Sequence, residues 1–463
     1  MSRGDSRGLT PLAAAREALA GREAWLVGGA VRDRLLGRPT DDLDISVRGE
    51  PRRAARAIAR AAGGTAFQLS GAFGAWRVVG RDHGWHVDLV ELRDADIAAD
   101  LAARDFTINA MAEPLAGGEV FDPHGGRADL EERLVRMVSP GALAEDPLRT
   151  LRAIRLVCEL DLSLDPATGA AVALHAPAID QVAPERVFAE LKRIVTSDRA
   201  LAGLALMDEF GLLAAVLPEL MVLRGVEQNV FHHLDVYDHT LEVLDAVASL
   251  ERGDHGADIA AVLAEPLGDD LTKGGGMRFA ALLHDAAKPA TRGELPDGRV
   301  TFVGHDTAGA DLARAVLRRL RASQRLADYV AALTLHHLRL GFLVHERPLD
   351  RRSVWRYLRA TSPYSSEVTI FTMADRLATR GRNADDAIAA HMSLAREMLE
   401  FAAADQPAEP LVRGDELARE LGIQPGPRLG ELIARLEEDR FAGDIATRDD
   451  AVRRARELVS SDG

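Results

Sequence analysis

The sequence predicts an α+β chain, with an α/β domain at the N-terminus and a long helical body after it. Three observations predict this. Residues Glu23 to about Phe121 alternate short apolar strands with helices. From about Asp129 onward apolar residues recur at helical spacing, and that helical part holds most of the histidines.

The elements follow in order. "AWLVGGAVRD" reads as a strand, a glycine turn and a helix start, and "DLDISV", "WRVVG" and "WHVDLVEL" read as strands with period-2 alternation. "LAEDPLRTLRAIRLVCEL" and "PERVFAELKRIV" read as helices that begin at Pro or an acid. "GDDLTKGGG" (Gly268 to Gly276) reads as a Gly-rich loop, and "AAADQPAEP" (Ala402 to Pro410) as a linker. The last stretch, "LVRGDELARELGIQPGPRLGELIARLEEDR", reads as helix, Pro/Gly turn, helix. No fixed-period repeat is visible.

Composition limits the function classes. The chain has 463 residues, 47% of them hydrophobic, and a mean hydropathy of −0.08, a soluble globular composition. No apolar run reaches the roughly 20 residues of a membrane span, and the first residues lack a signal-peptide core. A cytoplasmic location is expected. Cys158 is the sole cysteine, so a metal must be held by His, Asp and Glu. The formal charge of −15 argues against a protein coated in positive charge for nucleic acid, without excluding a local basic groove. Lysine occurs only at Lys192, Lys273 and Lys288. Arginine suits bidentate recognition of phosphates and bases, although genome composition accounts for the bias equally well.

"RPTDDLDISV" (Arg38 to Val47) packs three aspartates into four positions at a strand start. Strand residues two apart share a face, so Asp42 and Asp44 point one way. Asp41, Leu43, Ile45 and Val47 point the other. Two parallel carboxylates repel unless a cation lies between them, and hard oxygen ligands with a need for phosphate point to Mg²⁺. A solvated acidic strand edge is the plain alternative. Upstream, Gly28-Gly29 lies between a strand and a helix N-terminus, where bare backbone and free N–H groups suit an anion. A phosphate cradle followed by a same-face aspartate pair fits nucleotidyl transfer. Asp88 in "WHVDLVEL" supplies a third carboxylate; Glu91 falls on the opposite face and is the weaker candidate.

"EDPLRTLRAIRL" (Glu145 to Leu156) places Asp146, Arg149, Arg152 and Arg155 at intervals of three on one helix face. An ordinary salt bridge between Glu145 and Arg149 explains part of it. The sharper reading uses base edges. Cytosine and adenine each present an amino donor beside a ring-nitrogen acceptor, which a carboxylate and a guanidinium complement. Uracil and guanine present the reverse order, and each mismatched buried polar group costs about 1–3 kcal/mol.

These stretches resemble the bacterial class II tRNA nucleotidyltransferases, or CCA-adding enzymes, and the related poly(A) polymerases. "GGAVRD" with "TDDLDI", "ARDFTINAMA", "FDPHGGRADL", "EDPLRTLRAIRL" and "PERVFAEL" match the family's five motifs in order, with Ala103 where many members have arginine. The resemblance implies a polymerase-β-like nucleotidyltransferase head (1–137), a helical neck with a nucleotide-selecting motif (138–222), a helical HD-type body (223–401) and a helical tail (402–463). It implies catalysis by Asp42, Asp44 and Asp88, with Mg²⁺ on Asp42 and Asp44. It implies nucleotide binding by Gly28, Gly29, Arg32, Arg104, Asp105, Asn109, Asp146, Arg149, Arg152 and Arg155. The implied partners are the tRNA 3′ end, CTP and ATP, with no membrane. One departure stands out: only "RDADIAADLAA" (Arg93 to Ala103) separates the third-carboxylate strand from the second motif. A shortened loop there is a feature of CC-adding members.

"HHLDVYDHTLEVL", "FAALLHDAAKP" and "FTMADRLATR" resemble the HD superfamily of metal-dependent phosphohydrolases. That resemblance maps a divalent-metal site onto His239, His284, Asp285 and Asp375, with His305, His336 and His337 available for a second metal or phosphate. A lone histidine on a helix is usually structural; four ligands in this order are harder to dismiss. The resulting expectation is addition of C and A to tRNA 3′ ends. The alternatives are a CC-adding enzyme, a poly(A) polymerase and, in a different class, an HD phosphohydrolase whose head only binds nucleotide. Basic residues such as Arg186, Lys192 and Arg193 offer a track for RNA or a solvated helix face.

Overall fold

The computed structural model describes residues 9–461, apart from 71–73, 82–83, 93–95, 230–231, 382–383 and 405–408. The chain divides into two compact units, Met1–Val216 and Leu217–Gly463. The fold is α+β, as expected.

In the first unit a six-stranded sheet has the order β3-β4-β5-β2-β1-β6. Its strands are β1 (Ala24–Val27), β2 (Asp42–Val47), β3 (Gly64–Ser70), β4 (Ala75–Gly80), β5 (His86–Glu91) and β6 (Ala112–Pro114). The sequence reading found β1, β2, β4 and β5; β3 and β6 are additions. The β2–β5 pair is parallel and every other pair in this sheet is antiparallel. Along β2, Leu43 and Ile45 are buried while Asp42 and Asp44 face the open side, because an apolar side chain at every second position gives one face to the core.

The helices of this unit begin with α1 (Pro11–Ala18), α2 (Gly29–Leu35), α3 (Arg52–Ala62) and α4 (Ile97–Ala102). They continue with α5 (Gly126–Glu131), α6 (Ala142–Glu145) and α7 (Leu148–Leu160). Residues 93–95 of the short connection lie outside the described residues, and its remainder forms α4. The single helix expected over residues 143–160 is two. Asp146, at the end of α6, is extended (φ −144°, ψ 101°), since a residue before proline is disfavoured in the helical region, and α7 restarts behind Pro147.

The second unit is mostly helical. The helix Val236–Arg252 starts at an Asp235 cap, whose side chain accepts from the Asp238 N–H. The Gly-rich segment departs from the expected loop: Gly268 and Leu271 pair in a small hairpin, and Lys273–Leu283 is a buried helix. Its glycines serve packing. A Cβ on Gly274 would overlap Glu251, and one on Gly276 would overlap Leu267. The tail forms helices Gly414–Leu421 and Pro427–Ala442 around the expected turn; residues 405–408 of the expected linker lie outside the described residues. Among the described residues no helix is long and apolar enough to cross a membrane.

Candidate active site and a buried histidine cluster

The turn from β1 into α2 fixes the first half of the site. Gly28 has φ +69° and ψ −139°, a conformation closed to L side chains. A Cβ there would lie 2.7 Å from Arg104 Nη1 and 3.3 Å from an Asp44 oxygen. Bare backbone therefore lies directly against the carboxylate and its counter-charge.

Strand pairing brings the carboxylates together. Asp44 is the register partner of Asp88, and Asp42 that of His86. His86 Nδ1 lies 2.7 Å from Asp42 Oδ1. Arg77, opposite Asp88 on β4, grips it with two bonds of 2.7 and 2.6 Å. The Asp44 side chain keeps a solvent-facing edge but is walled in elsewhere. Loss of hydration pushes its carboxyl up, Arg104 opposes this, and the Asp88 and Asp42 charges add to it. A carboxylate so placed is one that a further cation would relieve. Glu91 pairs with Val47, away from this face.

A polar cavity of 610 Å³ opens beside Asp42 and Asp44, lined by the Gly28-Gly29 turn, Arg32, Arg104, Asp105, Asn109 and the α7 arginines Arg152 and Arg155, among others. One hydrogen-bond chain runs through it. Arg32 donates to Asp33 (2.9 and 3.0 Å) and to Asn109 Oδ1 (2.6 Å), and Asn109 donates to Asp105 (3.0 Å). Arg152 donates to Asp105 (3.1 Å) and to Glu190 (3.2 Å), which also pairs with Arg155 (3.2 Å). Burial opposes ionisation of Asp105, but the Arg152 charge and the bonds from Asn109, Arg152 and the Phe106 N–H outweigh it and hold the carboxyl low. The third motif braces this segment: Asp129 accepts from Thr107 (2.6 Å), and Asp122 accepts the Gly126 and Arg127 N–H groups at the start of α5.

Asp146 and Arg149 are placed differently from expectation. Asp146 stands outside the helix, accepts from the Leu148 N–H (3.2 Å) and pairs with Arg186 (2.7 Å). Arg149 donates to the carbonyls of Ala103 and Ala142, both at 2.9 Å. The pair does not share a helix face, and neither residue lines the cavity.

The second unit buries a separate cluster. His239 Nε2 lies 3.1 Å from Asp375 and 3.7 Å from Asp285, and His284 Nε2 lies 3.1 Å from Asp285 and 4.0 Å from Asp375. His239, His284 and Asp375 form one group able to hold an ion; Asp285, His305 and His337 form another. His284, His305 and His337 each turn Nδ1 to a backbone carbonyl, at 2.9, 2.7 and 2.6 Å. With the proton on Nδ1, Nε2 presents a lone pair. The Nε2 atoms of His305 and His337 then face each other at 3.3 Å beside Asp285 Oδ1, at 3.4 and 3.9 Å. Asp285 Oδ1 and His284 Nε2 are buried without a well-formed hydrogen bond, while Asp285 Oδ2 faces the Lys288 ammonium at 2.6 Å. Burial raises the Asp285 carboxyl, but the His284 and Lys288 charges hold it well below its usual range; burial pushes His337 down to about 4. Burial opposes a charge on His284, but the Asp285 and Asp375 charges outweigh it and push His284 up; a divalent cation would take the place of that proton among ionised carboxylates, so the residues fit one. His336 belongs to neither group.

A family model described as the poly A polymerase head domain matches residues 24–136. One described as a probable RNA and SrmB-binding site of polymerase A matches 161–223, and the HD domain matches 236–380. An A-adding tRNA nucleotidyltransferase of Deinococcus radiodurans is 37% identical, over 92% of this chain and 94% of its own. A CC-adding tRNA nucleotidyltransferase of Thermus thermophilus is 34% identical, over 93% and 92%. This chain belongs to the tRNA nucleotidyltransferase family. A CCA-adding enzyme of Bacillus stearothermophilus solved in complex with CTP shares the fold, with a TM-score of 0.66 at 22% identity over 97% of this chain and 98% of that one. Membership makes the chain a nucleotidyltransferase and implies dependence on a divalent metal.

Three residues of this nucleotidyltransferase site, and one of the separate histidine cluster, escaped the sequence reading. His86 and Arg77 act across strands, so their signal appears only once pairing is known. Glu190 lies in the quoted "PERVFAEL", but its role as the acid between Arg152 and Arg155 needs two helices in contact. Lys288, 2.6 Å from both Asp285 and Gln228, is three residues past Asp285 and was open to helical-spacing analysis.

Proposed function

We propose that this nucleotidyltransferase adds C and A to the 3′ end of tRNA from CTP and ATP. The observation that supports it most is the cavity joining the Gly28 turn and Asp42/Asp44 to the Asp105–Asn109–Arg152 chain. Backbone N–H groups at the start of α2, with Arg32 and Arg104 nearby, suit a triphosphate, and the Asp105–Asn109 pair suits the sugar. Asp42 and Asp44 would hold Mg²⁺, which supplies acidity to the attacking hydroxyl and charge balance to the phosphates. Asp88, fixed by Arg77, keeps negative charge beside them. Asp146 and Arg149 choose C and A over U and G in this reading.

Addition of only part of the CCA sequence is the second reading. It is favoured by the short connection between β5 and the second motif (Arg93 to Ala103), and by relatives named A-adding and CC-adding that match over nine-tenths of the chain. Incubation with tRNA lacking its 3′ terminus, with labelled CTP and ATP separately and together, tests both. CCA product supports the first reading; two C residues alone, or A added only to a tRNA already ending in CC, support the second. Long A tracts, or no incorporation, would refute both.

For the second unit, His239, His284, Asp285 and Asp375 would hold a divalent cation, with His305 and His337 beside a second. Such a site supplies activated water for phosphoester hydrolysis. Metal analysis of the purified protein against His284→Ala tests it, and equal metal content in the two would rule it out.

A further inference from the structure

The nucleotide cavity lies on one flank of Asp44. Its walls come from the β1–α2 turn, the 104–109 segment and α7. The other flank runs outward across β5, β4 and β3, and none of its described residues lines the cavity. Strand register sets one row along it: Asp44 opposite Asp88, Asp88 opposite Arg77, and Arg77 opposite Phe67. Register partners project from the same sheet face. Phe67 therefore stands on the carboxylate face, three strand spacings or about 14 Å from Asp44.

Phe67 is 44% exposed, and Leu69, at the bulge where the β3–β4 register shifts, is 49% exposed. They form an apolar ledge on the edge strand beside a strongly polar site. With the triphosphate held on one flank, the chain that brings the attacking hydroxyl enters over the other. That flank offers the incoming strand a flat ring, at a distance the last unpaired nucleotides of an RNA can span. Every base has an apolar face, so stacking on a ring holds a strand without reading its sequence.

We infer that Phe67, with Leu69 beside it, is a positioning residue on which an unpaired base of the RNA 3′ end stacks, aligning the terminal hydroxyl with Asp42, Asp44 and Asp88. This rests on the reading of the chain as a tRNA 3′-end nucleotidyltransferase. The test compares wild type, Phe67→Ala and Phe67→Trp on tRNA lacking its terminus, and on the same tRNA with 2-aminopurine near its 3′ end. Phe67→Ala is expected to raise KM for tRNA about fivefold or more, the lower end of what one stacked base provides. KM for the triphosphate and the melting temperature stay unchanged. The 2-aminopurine quench seen with wild type is lost in Phe67→Ala and restored in Phe67→Trp. An unchanged tRNA KM in Phe67→Ala, an equal rise in triphosphate KM, or a Trp variant no better than Ala would overturn the inference alone. A wild-type chain that extends no tRNA would overturn the functional reading and this inference with it.

Discussion

Gly28→Ala isolates the turn that brings backbone to the carboxylates. At φ +69° and ψ −139° an alanine is strained by about 1–3 kcal/mol. Its Cβ would also lie 2.7 Å from Arg104 Nη1. That atom ends a flexible side chain, so the arginine moves rather than the backbone, loosening its 3.1 Å bond to Asp100 and withdrawing charge from Asp44. The Arg104–Asp100 pair adds at most about 1 kcal/mol, being partly exposed. For a unit of this size each kcal/mol shifts Tm by roughly 2–4 °C, so a fall of about 2–16 °C is expected by calorimetry. The triphosphate kcat/KM should fall at least about tenfold, the loss of roughly one charge-assisted contact. Gly29→Ala is the control: its Cβ meets only the end of the Arg32 side chain, at 3.3 Å, and no positive φ is needed. Its Tm should stay within about 2 °C of wild type. A Gly28→Ala protein with unchanged Tm and kcat/KM, or one indistinguishable from Gly29→Ala in both, refutes the reasoning.

Four further outcomes are expected. Asp42→Asn and Asp44→Asn should each lower kcat by at least about 100-fold in a nucleotide-incorporation assay, while Asp41→Asn keeps substantial activity. Asp146→Ala should relax the preference for C and A over U and G more than it changes metal affinity, read from misincorporation with each triphosphate. Asp105 is held below its unfolded value near 3.9, so its stabilisation is complete above that value and is lost as pH falls through the lower folded value. Asp105→Asn should therefore be less stable than wild type in urea at pH 7, with the gap narrowing as pH falls below about 4; a gap that does not vary with pH contradicts the assignment. Burial pushes the Cys158 thiol up to about 11, so iodoacetamide at pH 8 should label it far more slowly in the folded protein than in urea.

What was legible in the sequence had a local period. The Asp42/Asp44 face follows from alternation with Leu43 and Ile45, and the glycine turn from its place between strand and helix. The histidine cluster was legible through the order of its motifs, although only the tertiary fold sets His305 and His337 nose to nose. The misread positions depend on neighbours far along the chain. Gly274 and Gly276 look like loop glycines, but Glu251 and Leu267 demand them inside a helix. β3 and β6 were passed over because "GTAFQLS" opens on glycine and "AEP" is three residues long. Asp146 carried its own warning in Pro147, which the run of evenly spaced arginines obscured. Spacing alone cannot tell a helix face from two helices meeting at a proline.

That break changes how Asp146 and Arg149 would have to work as the proposed base-reading pair. Asp146 is held by Arg186, whose side chain is half exposed, and such a pair is worth about 0–1 kcal/mol. Arg149 donates to two carbonyls from a largely buried position, and bonds from a charged donor are worth about 1.5–3 kcal/mol each. A base that reached the pair would therefore exchange partners with the aspartate at little cost, but not with the arginine unless the arginine's own acceptors shifted. One of those acceptors is Ala103 O, immediately before Arg104, whose guanidinium stands beside Asp44 and the Gly28 turn. In the proposed function, recognition of the base edge and placement of the charge next to Asp42 and Asp44 would thus be tied through one peptide segment. A base that fails to draw Arg149 away leaves that segment, and Arg104 with it, where it stands.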